Sequence, residues 1–183
     1  MDNNTIIIEN AGLKKTLTLN KDRIVSSEIY NKISSLAVKA QQGSEEFILK
    51  FKTGLFSKPE IKASELKVAS TKKELTNDGI IYTIIFAPFK VADSKLSTKL
   101  VYTLKNDSTF MRKHIELSYE KRGNKAIVLD HINFESLHFD SSLSCWSIPE
   151  QADSHVPGYA LEMGQPLYVD SLFFGIEFPA SLN

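Results

Sequence analysis

The feature that most restricts the fold of this 183-residue chain is an apolar alternation with a period of two rather than 3.6. In the segment from Leu96 to Lys105, the residues Leu96, Leu100, Tyr102 and Leu104 fall on one side, and Ser97, Lys99, Thr103 and Lys105 on the other, because successive side chains of a strand point to opposite faces. After a turn at Lys105-Asn106-Asp107-Ser108 the pattern resumes: Ile115, Leu117 and Tyr119 oppose His114, Glu116, Ser118 and Glu120. Two such runs around a short polar turn predict an antiparallel hairpin.

The same signal predicts strands around Thr5–Glu9, Lys14–Leu19, Arg23–Ser27, Glu46–Lys52, Glu65–Ser70, Ile80–Ala87, Lys125–Leu137, Leu167–Val169 and Leu172–Glu177. Turn chemistry separates them at Asn10-Ala11-Gly12, Asn20-Lys21-Asp22, Asn77-Asp78-Gly79 and Arg122-Gly123-Asn124. The stretch Ser27 to Ala40 lacks Gly and Pro, but its β-branched residues and the Asn31-Lys32 turn signal favour strand and loop over helix. Many short strands without intervening helices predict an all-β chain, an antiparallel β-sandwich in a single domain spanning 1–183. From Ser141 to Gln165 the alternation fades, and Cys145-Trp146, Pro149, Pro157-Gly158 and Gly164 predict a long irregular segment.

Charge and composition narrow the function. With 22 Lys and Arg against 22 Asp and Glu, the chain lacks the uncompensated basic surface that phosphate neutralisation requires, so neither nucleic acid nor an anionic membrane is an expected partner. The lone Cys145 can form no internal disulfide and no multi-thiolate zinc site. The amino terminus has no basic region followed by an apolar run of signal-peptide length. The richest apolar stretch, Ile80 to Phe89, falls short of the roughly 20 residues that span a bilayer. A cytoplasmic protein is expected.

No known catalytic spacing stands out. His114, His131, His138 and His155 form no metal-ligand motif, and the seven-residue interval from His131 to His138 would place them on opposite faces of a regular strand. Phosphate-cradling glycine loops and a Gly-x-Ser-x-Gly elbow are missing, so no cofactor, no metal ligand and no catalytic residue is expected. Glycoside hydrolysis needs paired carboxylates. Asp170 and Glu177 flank one strand and Glu45-Glu46 begin another, but in a chain with so many acids these read as solvated carboxylates. Aromatic residues crowd the last forty positions. Phe173, Phe174 and Phe178 read as core, since Phe has no polar handle, whereas Trp146 suits either packing or stacking on a sugar ring.

The run Gly164-Gln165-Pro166-Leu167-Tyr168-Val169-Asp170-Ser171-Leu172-Phe173-Phe174-Gly175-Ile176-Glu177-Phe178-Pro179-Ala180 resembles a segment near the end of the amino-terminal β-sandwich of large α-galactosidase-like glycoside hydrolases, a domain of the galactose-mutarotase-like supersandwich fold. Similar in the same way are Ile8-Glu9-Asn10 leading to Leu13 and Leu19, Ile29-Tyr30-Asn31-Lys32, Gly43-Ser44-Glu45-Glu46-Phe47, Phe110-Met111-Arg112-Lys113-His114-Ile115-Glu116-Leu117, and Ile132 to Glu135. The resemblance covers nearly the whole chain and implies a non-catalytic module, the amino-terminal part of a longer protein. The catalytic carboxylates of such enzymes lie in a barrel after the sandwich, and a barrel needs about 250 residues. The implied partner is that barrel, with carbohydrate and a second copy of the chain as further partners. Trp146, Tyr159, Gln165, Asp170 and Glu177 are the implied sugar or interdomain contacts.

Two other readings stay open on the sequence. A free-standing aldose mutarotase would need a general acid and base across the anomeric centre, for which His131 or His138 with Glu177 could serve. A carbohydrate-binding or protein-interaction sandwich would use an apolar patch of Phe173, Phe174 and Phe178 with Pro166 and Pro179.

Overall fold

In the computed structural model, which describes residues 5–53, 59–120, 127–147 and 167–175, the alternating segments become strands of antiparallel sheets. The chain divides into two compact units, Met1–Phe139 and Asp140–Asn183.

The first unit begins with a four-stranded meander of β1 (Thr5–Glu9), β2 (Leu13–Asn20), β3 (Arg23–Asn31) and β4 (Leu36–Lys39). Its turns are those the sequence announces. Asn10 Oδ1 accepts the backbone N–H groups of Gly12 at 2.9 Å and Leu13 at 2.8 Å, while its amide donates to the carbonyls of Lys105 and Ser108, each at 2.7 Å. One asparagine thus joins the β1–β2 turn to a turn far along the chain. Between β2 and β3, Lys21 and Asp22 both take positive φ, 48° and 62°, as a tight two-residue hairpin turn demands.

A three-stranded sheet follows, with β5 (Ile48–Lys52) central between β6 (Glu60–Lys62) and β12 (Val128–Asn133). The five-stranded sheet contains β7 (Val68–Thr76), β8 (Gly79–Phe86), β9 (Phe89–Val91), β10 (Ser94–Lys105) and β11 (Arg112–Glu120). Its order is β11-β10-β8-β7, with β9 also pairing β10. The expected β10–β11 hairpin forms with Leu96 opposite Tyr119 and Leu100 opposite Ile115. Ile6, Ile8, Leu17 and Ile24 from the meander, Leu49 and Phe51 from the three-stranded sheet, and Ile84, Phe86, Leu100 and Leu104 from the five-stranded sheet close one core. Phe47 and Phe86 meet edge to face in it, 5.5 Å between ring centres.

Several boundaries differ from the sequence reading. Of the expected strand Glu65–Ser70, Val68–Ser70 open β7, which runs on to Thr76, while Glu65 closes a 3-10 turn at Ala63–Glu65. Ala63 and Leu66 are buried there, and the Glu65 carboxylate accepts the Lys62 N–H at 3.2 Å, so the polar residues serve a cap rather than a strand. The long β7 escapes the alternation test because nearly all of it is exposed. The expected run Lys125–Leu137 contains β12, broken by a bulge between Leu129 and His131, and an isolated bridge from Ser136 to Glu45. The short β6 and β9 carry too few residues to show a period.

The second unit holds a small antiparallel sheet of β13 (Cys145–Ser147), β14 (Leu167–Val169) and β15 (Leu172–Phe174). Cys145–Ser147 is therefore strand, where an irregular segment is expected from the sequence. No helix among the described residues is long and apolar enough to cross a membrane.

Candidate functional site

The densest set of chemically capable side chains lies inside the first unit. On β2 the exposure alternates so that Lys15 falls in phase with the buried Leu13 and Leu17, and on β11 Lys113 falls in phase with Ile115 and Leu117. Both lysines therefore point with the apolar residues. They meet Glu46, which immediately precedes Phe47 and β5, and Glu135, which follows β12.

Glu46 is the centre of this cluster, with a side chain sealed from solvent. Its Oε1 lies 2.9 Å from Lys15 Nζ and accepts the Ser26 hydroxyl on β3. Its Oε2 lies 2.7 Å from Lys113 Nζ and accepts the Tyr102 hydroxyl on β10. Lys15 also donates to Glu135 Oε1 at 2.7 Å, Lys113 pairs with Glu135 Oε2, and Lys113 donates to the Glu46 backbone carbonyl. Two ammonium groups and two carboxylates form a closed ring of opposite charges joining the meander and the five-stranded sheet to the segments that flank β5 and β12.

Burial alone would raise the Glu46 carboxyl, yet Lys113 and Lys15 beside it hold it well below the usual carboxylate range. Burial alone would lower the Lys15 ammonium, and Glu46 with Glu135 hold it above the usual lysine range. Burial, and then the charges of Glu46 and Glu135, push the Tyr102 hydroxyl well up. A general acid needs a carboxyl that keeps its proton near neutrality, and a nucleophilic lysine needs a depressed pKa. Glu46 and Lys15 are shifted the opposite way, and their ion pairs with Lys113 and Glu135 tie the segments together.

The neighbouring Glu45 is also buried, its carboxylate accepting the Ser64 N–H at 3.0 Å and the Ser64 hydroxyl at 2.6 Å. The expectation that Glu45-Glu46 are solvated is thus overturned: their strand-flanking position turns both carboxylates inward onto donors. The signal that finds the cluster in sequence is a charged residue in the apolar phase of a strand, as Lys15 stands among Leu13, Leu17 and Leu19.

Of the nominated contacts, Tyr159, Gln165 and Glu177 lie outside the described residues, as do Pro166, Phe178 and Pro179. Trp146 occupies the middle of β13, opposite Tyr168 on β14, and Tyr168 in turn stands opposite Phe173 on β15. Asp170 is exposed in the two-residue turn between β14 and β15 with φ of 47°. Its Oδ1 accepts the Ser144 N–H at 3.2 Å and its own N–H donates to the Ser144 carbonyl at 2.9 Å, so it fastens the hairpin end to the strand beside it. Phe173, expected in the core, is 59% exposed. His131 and His138 are both exposed; His138 is held through its backbone, its N–H donating to Ser44 Oγ at 2.9 Å.

Among the described residues no group of three or more His, Cys, Asp or Glu side chains is arranged to hold a metal ion. A shallow depression of about 200 Å³ at the β1–β2 and β10–β11 turns is lined by Ala11, Gly12, Ile33 and segment 106–109.

Fold and cluster together define an all-β chain of antiparallel sheets, its first unit locked by an internal ring of ion pairs. No family model, curated protein or solved structure matches this chain.

Proposed function

We propose that this chain is a non-catalytic accessory β-sandwich of the supersandwich, galactose-mutarotase-like type, which braces the catalytic barrel of a cytoplasmic α-galactosidase-like glycoside hydrolase and contacts its carbohydrate substrate. One observation carries the reading. Three of the segments that resemble such domains, Gly43-Ser44-Glu45-Glu46-Phe47, Phe110 to Leu117 and Ile132 to Glu135, contribute Glu46, Lys113 and Glu135 to a single ion-pair ring. Residues that distinguish these segments therefore serve mutual attachment, as expected of a scaffold whose catalytic acids lie elsewhere.

The test has two parts. The purified chain is assayed for hydrolysis of nitrophenyl galactosides and, by polarimetry, for anomer interconversion of galactose and glucose. Rates equal to buffer are expected, and turnover by the chain alone overturns the non-catalytic reading. The coding sequence is then read past Asn183, where an open frame of about 250 codons or more, enough for a barrel, is expected. A termination codon directly after Asn183 overturns the accessory reading.

A further inference from the structure

We propose that β7 is a self-association edge, which joins a second copy of this chain by antiparallel β7–β7 pairing about a two-fold axis at Lys73. β7 ends the five-stranded sheet and pairs with β8 on one side only. From Ala69 to Thr76 every residue is exposed, on both faces of the strand. The register sets Thr76 opposite Gly79 across a two-residue turn, then Glu74 opposite Ile81 and Lys72 opposite Thr83. Antiparallel pairs alternate between exchanging backbone hydrogen bonds and not, and the pair that closes a two-residue turn exchanges them. The Asp78 carbonyl accepts the Asn106 N–H on the β10 side at 2.8 Å, so its neighbour Gly79 faces β7, in the same phase. Thr71, Lys73 and Leu75 therefore aim their N–H and C=O groups away from β8. No backbone partner meets those groups among the described residues.

The charges on this edge match a second copy of itself. A two-fold axis perpendicular to the sheet brings two β7 strands side by side, antiparallel and with like faces together. Centred on Lys73, it pairs Thr71 with the second copy's Leu75 through their outward backbone groups, and Leu75 with the second copy's Thr71. Leu75, 76% exposed in the single chain, thereby gains a cross-strand neighbour. On the other face Lys72 falls opposite the second copy's Glu74, and Glu74 opposite the second copy's Lys72. These are pairs without backbone bonds, where side chains approach most closely. Lys72 and Glu74 already lie 3.0 Å apart within one chain, so the join sets four alternating charges in a square. Axes centred on Lys72 or Glu74 would instead set that residue against itself. The cost is Lys73, which meets its own copy on the axis; like charges directly opposite disfavour pairing, and edge lysines limit strand addition.

Sedimentation velocity on the intact chain measures the association. One added strand makes a small interface, so a dissociation constant of about 10–100 µM is expected. The mass should accordingly rise from 20.6 kDa toward twice that value between about 1 and 500 µM chain. Lys72→Glu and Glu74→Lys each place like charges opposite one another and should weaken association at least about tenfold. Mixed in equal amounts, those two variants regain opposite charges at both crossings and should associate as the parent does. Lys73→Thr removes the repulsion on the axis and should tighten association about threefold or more. All three positions are exposed, and far-UV circular dichroism confirms that the variants fold. A chain that stays at 20.6 kDa throughout overturns the proposal, as does an affinity unchanged in both single charge variants. A mixture of those variants that stays monomeric overturns the Lys73-centred register. The association needs neither sugar nor barrel, so each of these results leaves the accessory reading to its own tests.

Discussion

Replacing Glu46 by Gln keeps the shape of the side chain and removes its charge. In the native ring the carboxylate accepts four donors, from Ser26, Lys15, Tyr102 and Lys113. The amide that replaces it can accept on its oxygen only, and its NH2 group cannot accept from the ammonium beside it. The buried Lys15 ammonium and the partly buried Lys113 ammonium then share Glu135 as their remaining carboxylate. Breaking a buried ion pair by neutralising one partner costs about 3–5 kcal/mol, a large part of the roughly 5–15 kcal/mol that holds a domain together. With a urea slope of about 1–3 kcal/mol per M, the midpoint of the first unit should fall by roughly 1–5 M. Far-UV circular dichroism during urea titration measures the shift, since the single tryptophan belongs to the second unit. A midpoint within about 0.3 M of the parent, a difference worth under about 1 kcal/mol at such slopes, would refute the claim that Glu46 is a desolvated charge.

The same ring sets a pH window. The Glu46 carboxyl is lowered in the folded state, so its contribution is present above its ordinary value of 4.5 and is lost as pH falls from there toward the folded value. The Lys15 ammonium is raised in the folded state, so its contribution is complete below its ordinary value of 10.5 and is lost as pH rises beyond it through the folded value. Urea midpoints should form a plateau between these limits and decline on both sides, with the acid-side decline flattened in Glu46→Gln; an unchanged acid slope in that variant would contradict the assignment. At Gly79 an added Cβ would lie 2.2 Å from the Leu104 carbonyl oxygen and 2.7 Å from Lys105 Cα. Backbone of β10 cannot yield there as a flexible side chain would, so Gly79→Ala should cost about 1–3 kcal/mol. Gly12→Ala, whose Cβ would meet Ile33 Cδ1 at 3.5 Å, should stay within about 0.5 kcal/mol, and equal urea midpoints for the two variants would refute the contrast.

Strand existence was legible where one face is buried and the other wetter, as in β2, β10 and β11, because burial writes a period of two into the sequence. Beyond Ser70 it was not legible in β7, whose residues Thr71 to Thr76 are all exposed and whose pairing with β8 is made by backbone groups that any sequence supplies. The turns at Asn10 and at Asn20 to Arg23 were readable from their polar residues, since side-chain acceptors and positive φ demand particular residue types. The ion-pair ring was not found from the acids, because Glu45-Glu46 look like any surface pair in one dimension. It was visible only from the lysines, which break the apolar phase of otherwise regular strands. The pairing of β13, β14 and β15 needed register, a property of three strands together, which no single segment carries.

An internal ring of charges is a poor device for stability alone, since apolar side chains of equal volume often hold a core as well. Its effect here is geometric. Each of its members is fixed to a different piece of the first unit: Lys15 to β2, Ser26 to β3, Glu46 to the start of β5, Tyr102 to β10, Lys113 to β11 and Glu135 to the end of β12. A slip of one residue in β2 or β11 would turn its lysine to the opposite face and leave Glu46 buried without one of its counter-charges. The apolar alternation opposes the same slips, since they would turn Lys14 and Thr16, or His114 and Glu116, inward, and the ring adds to that penalty a buried carboxylate short of a counter-charge. The ring therefore penalises wrong registers more steeply than it rewards the right one, and a scaffold that must present its sheets at fixed positions is where that asymmetry matters most.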